Sequence, residues 1–188
     1  TLESDQSAEL LKLLSEHNNR VYAHCLGVSI YGSIICKKIG WDSMSTRLKV
    51  SLAAMFHDIG KKEIPTEIIN KPRSSMTAEE RALYETHPTR GKEILQSLKI
   101  FPPDIPEIVY HHHEDCLGQG YPQRLRRAHI HPLARLISVA NIFCNYAIEN
   151  PDSLGMGGID AIRMMEIHHK SELDSEMFNA LKSAFYEK

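Results

Sequence analysis

The feature that most constrains the fold is an apolar segment, Arg47 to Phe56, that ends directly on the pair His57-Asp58. Its composition predicts a buried helix. A buried carboxylate without a partner is costly, and Lys61 follows Asp58 by three residues. Imidazole nitrogens and carboxylate oxygens both bind divalent metals, so the pair marks a candidate metal site in the core. The alternative is a capping Asp beside a packed His.

Helical periodicity also dominates the rest of the chain, and no useful stretch shows the alternation of a strand. The sequence therefore predicts an all-α, multi-helix bundle. One domain boundary is arguable: residues 1–21 would form an N-terminal helix connecting to an upstream domain, and residues 22–188 the main domain. The predicted helices are Ser7 to Arg20, Tyr22 to Ile39, Arg47 to Phe56, one beginning at the Thr77 capping box, Thr89 to Leu98, one from Pro102 toward His111, Leu133 to Ile148, Ile159 to Ile167 and Ser175 to Phe185.

Composition excludes several classes of protein. The net charge of −2 gives no reason to expect a nucleic acid polymer as a partner. The longest nearly apolar stretch, Gly27 to Cys36, is too short to insert across a membrane. The four cysteines are widely spaced and form no Cys-x-x-Cys pair, which argues against a zinc ribbon or a disulfide framework and favours the cytoplasm.

Histidine is unusually frequent, with 11 residues. In the run His111-His112-His113-Glu114, at most two adjacent histidines easily reach one site on a helix. His87 precedes Pro88, and His24 lies within an otherwise apolar helix. Taken singly, each is more readily a packed or solvent-exposed histidine. Jointly they fit a metal site assembled from several helices of a bundle.

The order of these motifs resembles the HD-GYP family of bacterial cyclic dinucleotide phosphodiesterases, which belong to the HD superfamily. The similarity covers about Tyr22 to Pro151. The residues that carry it are His24, His57-Asp58-Ile59-Gly60-Lys61, His87-Pro88 with Gly91, His112-His113-Glu114 and Gly120-Tyr121-Pro122.

This resemblance implies a site for two divalent metal ions, iron or manganese, in the helical core. His24 and His57 would hold one ion, Asp58 would bridge both, and the second would be held by His87, His112 and His113. Asp58 and Lys61 would be the catalytic residues, with Lys61 facing the scissile phosphate. Gly120, Tyr121 and Pro122 would shape the substrate pocket or contact a protein partner, and Arg124 could add positive charge.

The sequence departs from the family pattern at several positions. The family has an Asp ligand where Asn141 stands, so the site loses one negative charge. Arg20 replaces a Glu that holds a third metal in some members, so no third metal is expected. The family's Arg-Pro-Tyr is here Asn150-Pro151-Asp152, which removes a cation that could meet phosphate.

Three functions follow as hypotheses. The first is a metal-dependent phosphodiesterase acting on a cyclic dinucleotide, with cyclic di-GMP as the expected substrate. The second is a weak or inactive module that binds the nucleotide or a partner protein, motivated by Asn141. The third is a phosphohydrolase of the wider HD superfamily with another phosphodiester or nucleotide as its substrate.

Overall fold

The structure is a computed structural model that describes residues 19–186. The predicted helix over Ser7 to Arg20 and the connector 1–21 lie almost entirely outside this range. The expectation of no third metal rests on Arg20, and the structure describes the backbone of this residue but not its side chain. The helices are α1 Asn19–Lys38, α2 Met44–Phe56, α3 Thr66–Ile69, α4 Ala78–Tyr84, α5 His87–Leu98, α6 Asp104–His111, α7 Pro132–Ala147, α8 Gly158–His168 and α9 Ser175–Tyr186.

The bundle is built around α7, and the apolar face of this helix is buried against its neighbours. Leu136, Ile137, Val139 and Phe143 of this helix are buried. Helix α1 packs against both α2 and α7, and α6 packs against α2, α5 and α7. The described residues contain isolated β-bridges but no strand, so the all-α prediction is confirmed.

The helix ends follow local sequence signals. Helix α1 gives way to Gly40, whose φ of 77° is the left-handed conformation that glycine adopts without strain. Thr77 and Glu80 form the predicted capping box at the start of α4. Helix α5 begins at His87 rather than at the predicted Thr89, because proline fits the first turn of a helix, where its missing N–H is not needed.

Within residues 19–186, none of the helices combines the length and the apolar character needed to cross a membrane. All four cysteines are free thiols.

Candidate metal centre

Asp58 lies where α2 ends and the chain turns into a short 3-10 helix, Ile59–Glu63. This turn packs against α5, which brings His87 to the carboxylate. His112 follows the last residue of α6, and His24 reaches the same region from α1. Four separate elements therefore converge on Asp58.

The distances define two donor groups that share this carboxylate. Asp58 Oδ1 lies 3.3 Å from His87 Nε2 and 3.8 Å from His112 Nε2. Its Oδ2 atom lies 3.3 Å from His57 Nε2 and 2.6 Å from Lys61 Nζ. Ligand atoms of Asp58, His87, His112 and His113 lie within 4.8 Å of one another, as do those of His24, His57 and Asp58.

Backbone carbonyls fix the orientation of three of these rings. His57 Nδ1 lies 2.7 Å from the Ala54 carbonyl oxygen, and His87 and His112 make the same contact with the carbonyl three residues earlier, at 2.8 and 2.6 Å. Each Nδ1–H donates to a carbonyl, so Nε2 is the ring nitrogen that is directed toward Asp58. Metal-binding histidines are held in this way in known sites.

Burial and charge set the protonation of the centre. Burial alone would raise the pKa of Asp58, but Lys61 and His57 outweigh it and hold that pKa well below its usual value. Burial lowers the pKa of His112 and His113 well below the usual value, with neighbouring histidines adding to the effect. Burial would lower the pKa of His57, but Asp58 outweighs burial and raises it to about 10. The centre thus offers an ionised carboxylate and neutral imidazoles at His112 and His113, whereas a metal ion at His57 would have to displace a proton.

Two further observations show that these donors fit divalent cations. His57 Nε2 and Asp58 Oδ1 are buried and have no hydrogen-bond partner. His87 Nε2 and His112 Nε2 face each other at 3.4 Å while the opposite nitrogen of each ring is committed to a carbonyl. Two lone pairs at this distance repel each other unless a cation lies near both. In addition, a buried polar atom without a partner costs free energy.

On the His24 side, Asn141 occupies the predicted position. His24 Nε2 lies 2.9 Å from Asn141 Oδ1, and burial followed by the charge of His57 lowers the pKa of His24 to about 3. A neutral amide here supplies an oxygen without charge, so Asp58 is the one anion that residues 19–186 contribute to the donor group of His24 and His57.

Replacing Asn141 with aspartate should therefore strengthen metal binding on this side. We expect the affinity for Mn²⁺ to rise at least about tenfold, since a unit charge at 4 Å is worth about 4 kcal/mol at an effective dielectric of 20. Titration of metal-free protein followed by elemental analysis measures this. Asn179→Asp, at an exposed position on α9, is the control; an equal gain in both variants would show a general charge effect instead.

The other histidines of the run separate as expected. His111 turns away, its Nε2 lying 3.1 Å from Gln123 Oε1, whereas His112 and His113 face the centre. Glu114 is buried and accepts hydrogen bonds from the backbone of Gln123 and Leu125 at 2.6 and 2.7 Å. This carboxylate anchors the loop that carries the Gly-Tyr-Pro motif.

That loop lies against the metal centre. The ring of Tyr121 stacks on His113 with centroids 4.6 Å apart, and Gly120 sits so close to the backbone of His113 that a Cβ would come within 2.4 Å of its carbonyl oxygen. Arg124 is exposed. The predicted substrate contacts of Gly120, Tyr121, Pro122 and Arg124 stay predictions.

A cavity of about 110 Å³ opens beside the centre and is lined by His24, Asp58 and Lys61. The remaining wall comes from residues that the sequence did not single out as site residues. Arg73 and Lys71 bring cations, and Tyr84 brings an aromatic ring. These residues lie on short turns and in the last turn of α4, where no periodic pattern marks them. The wall is completed by Val21, Ile69, Asn70, Met76, Asn145, Glu149, Asn150, Pro151 and Asp152.

Comparison with known proteins identifies the class to which this bundle and its His–Asp centre belong. Residues 8–177 match the family model described as HD domain. The chain belongs to the HD domain family, and the resemblance drawn from its motifs is confirmed.

Its curated relatives are named as phosphodiesterases of bacterial cyclic dinucleotides. The chain is 28% identical, over 91% of its length, to a cyclic di-GMP phosphodiesterase of Pseudomonas aeruginosa. It is 30% identical, over 92% of its length, to the 3'3'-cGAMP-specific phosphodiesterase 3 of Vibrio cholerae. The chain spans only 41% and 37% of the length of these two relatives.

Solved structures share the fold. A Bdellovibrio bacteriovorus protein described as an HDG"Y"P protein superposes with a TM-score of 0.75 at 27% identity, covering 88% of this chain and 52% of that one. The HD domain of the L. monocytogenes phosphodiesterase PgpH, in complex with cyclic-di-AMP, superposes with a TM-score of 0.63 at 18% identity. It covers 96% of this chain and 98% of that one, and at this identity it speaks for the fold alone.

Proposed function

We propose that this chain is a metal-dependent phosphodiesterase that hydrolyses a cyclic dinucleotide, with cyclic di-GMP as the first candidate. The observation that carries the proposal is the convergence of two donor groups on the two oxygens of Asp58 beside an open cavity. The named activities of the relatives support the same reaction and the same class of substrate.

The residues would divide between two cations. His24, His57 and Asp58, with the Asn141 oxygen, would hold one, and Asp58, His87, His112 and His113 would hold the other. When bound, such ions stabilise negative charge on a phosphoryl oxygen and lower the pKa of a water molecule. The donors of both groups are nitrogen and oxygen atoms without a thiolate, which suits iron or manganese.

Lys61 would be the cation of this chain that meets the reacting phosphate. Its ammonium group contacts Asp58, lines the cavity, and lies 5.2 Å from the centroid of the Tyr84 ring. Burial would lower its pKa, but Asp58 and Tyr84 outweigh burial and raise it, so Lys61 stays charged. It can thus fix the position of the Asp58 carboxylate and meet charge on a phosphoryl oxygen.

Asn141 favours a second candidate, a module that binds the cyclic dinucleotide without hydrolysing it. The structure gives this alternative a physical basis, because the donor group of His24 and His57 contains a single carboxylate. A third candidate is a phosphohydrolase of the wider HD superfamily, which differs from the first candidate only in its substrate.

One experiment separates these candidates. Protein loaded with Mn²⁺ or Fe²⁺ is incubated with cyclic di-GMP, 3'3'-cGAMP, cyclic-di-AMP and bis(p-nitrophenyl) phosphate, and products are resolved by chromatography. We expect hydrolysis of at least one cyclic dinucleotide. Tight binding without turnover, with two equivalents of metal bound, would support the binding module. Turnover of the nitrophenyl ester without any binding of a cyclic dinucleotide would support the third candidate.

A further inference from the structure

A second and larger cavity of about 460 Å³ adjoins the one at the metal centre. The two share a wall made of Arg73, Asn145, Asn150 and Asp152. Asp152 accepts a hydrogen bond from the backbone N–H of Arg73 at 2.7 Å, so the two segments meet at the boundary between the cavities. We refer to this second space as the distal cavity.

The lining of the distal cavity suits a flat, polar-edged ring. Ile142, Met156 and Met164 provide apolar surface, and thioethers pack favourably on aromatic rings. Tyr146 and His169 provide polar groups whose positions are fixed: the Tyr146 hydroxyl lies 3.1 Å from His169 Nε2, and His169 Nδ1 lies 2.9 Å from Glu172 Oε2. An apolar pocket with a few oriented polar groups is the usual form of a small-molecule site.

Lys61, Lys71 and Arg73 line the first cavity, and among them Arg73 makes the longest contact with a carboxylate. Lys61 contacts Asp58 at 2.6 Å, and Lys71 donates to both oxygens of Glu80 at 2.7 and 3.0 Å. Arg73 Nε lies 3.7 Å from Asp152 Oδ2, and the guanidinium lies over the Tyr84 ring, 5.4 Å from its centroid. The side chain of Arg73 is nevertheless 43% exposed. Its backbone is held by Asp152 and by a hydrogen bond from Arg81, so the start of the side chain is fixed while its charged end can meet an anion.

The size of the first cavity makes a second space necessary for a dinucleotide. Sites for drug-sized ligands enclose about 300–1,000 Å³, and the cavity at the centre holds only about 110 Å³. A cyclic dinucleotide carries two phosphates and two bases. With one phosphate at the metal centre, the other half of the molecule must extend beyond this cavity, and the shared wall leads to the distal cavity.

We propose that the distal cavity binds the base of the second nucleotide and that Arg73 is a positioning residue for the second phosphate. This inference rests on the proposed function, because it takes a cyclic dinucleotide as the ligand. Arg73 would also supply the positive charge that is missing at Asn150-Pro151-Asp152, where the family has Arg-Pro-Tyr. Asp152 contacts Arg73, which comes from a different segment of the chain.

The test fills the distal cavity without touching the centre. Met164→Trp is compared with Met164→Leu, which keeps the apolar volume, and with Met44→Trp, an exposed position on α2. The dissociation constant for cyclic di-GMP, 3'3'-cGAMP and cyclic-di-AMP is measured by calorimetry on the Mn²⁺-loaded protein. For whichever nucleotide the wild-type protein binds, we expect the dissociation constant to rise tenfold or more in Met164→Trp. It should stay within twofold of wild type in both controls.

Turnover supplies an independent readout. The ratio of kcat/KM for the cyclic dinucleotide to that for bis(p-nitrophenyl) phosphate should fall tenfold or more in Met164→Trp, and also in Arg73→Gln, chiefly through KM. If Met164→Trp does not fold, Met156→Trp on the preceding loop fills the same space.

The outcomes distinguish the two proposals. Wild-type binding and hydrolysis with unchanged constants in the filled variants would overturn this inference and leave the proposed function intact. An equal fall in kcat/KM for the cyclic dinucleotide and for bis(p-nitrophenyl) phosphate would also overturn it. Filling the distal cavity would then have acted by disturbing the metal centre. Wild-type protein that neither binds nor hydrolyses any cyclic dinucleotide would overturn the proposed function, and this inference with it.

Discussion

Replacing Asp58 with asparagine should abolish hydrolysis while leaving the size of the side chain unchanged. Both donor groups use this carboxylate, so its loss removes the one anion common to them. We expect turnover to fall about a thousandfold or more, because removing even one charge-stabilising group from an active site costs about 10²–10³-fold. Metal affinity should fall by more than about 100-fold. Loss of a group that only supports a ligand already costs up to about 100-fold, and Asp58 would be a ligand itself.

The measurements are turnover of bis(p-nitrophenyl) phosphate and metal content by elemental analysis after dialysis. A thermal melt adds a third readout. Metal that binds only the folded state raises the melting temperature of wild-type protein, and this rise should be absent in Asp58→Asn. Asp160→Asn is the control, since Asp160 is an exposed carboxylate paired with Arg163 on α8.

Retention of two equivalents of metal by Asp58→Asn, together with turnover within tenfold of wild type, would refute the assignment of Asp58 as the shared ligand. Metal retention with loss of turnover would instead separate binding from catalysis and assign Asp58 the catalytic role alone. In either case the metal-free variant must first be shown to fold, because Lys61 loses its charged partner in the interior.

The donors of the centre could be anticipated from the sequence because each carries a local signal. Asp58 follows a buried helix, His87 stands before a proline, and His112 and His113 end a helix that prolines introduce. The geometry of a helix also limits how many adjacent histidines face one site, and His111 does turn away from it. The ligand roles themselves stay predictions until metal is measured.

The wall of the cavity could not be anticipated in the same way. The sequence suggests Arg124 as an added positive charge, which stays a prediction, whereas the cation at the shared wall is Arg73. Arg73 meets Asp152 across 79 positions in the chain, and neither residue lies on an α-helix. A contact between two non-helical segments leaves no periodicity in the sequence, so only the three-dimensional arrangement shows it.

Gly60 explains why the family motif needs a glycine between the His57-Asp58 pair and Lys61. A Cβ at this position would lie 2.0 Å from the His87 carbonyl oxygen and 2.6 Å from the Gly91 backbone nitrogen. Both are backbone atoms of α5, so no side-chain rotation can relieve the overlap. The close approach of this turn to α5 is also what places His87 3.3 Å from Asp58.

Gly60→Ala should therefore destabilise the fold and disrupt the centre in one step. We expect the free energy of unfolding to fall by about 3 kcal/mol or more, the upper end for inserting a methyl group into a packed interior. For a chain of this size that is a drop of about 6–12 °C in melting temperature. Because the two segments must separate to admit the methyl group, the variant that still folds should lose affinity for the metal held by His87 and His112.

Gly157→Ala is the matched control, since a Cβ there would meet only the Asp160 carboxylate, at 3.9 Å. It should melt within about 4 °C of wild type, because Gly157 is the N-cap of α8 and alanine at an N-cap costs about 1 kcal/mol. Thermal melts of the metal-free proteins give the stability, and Mn²⁺ titration gives the occupancy. A Gly60→Ala protein that melts like the control and binds two equivalents of metal would show that the approach of the turn to α5 does not position His87.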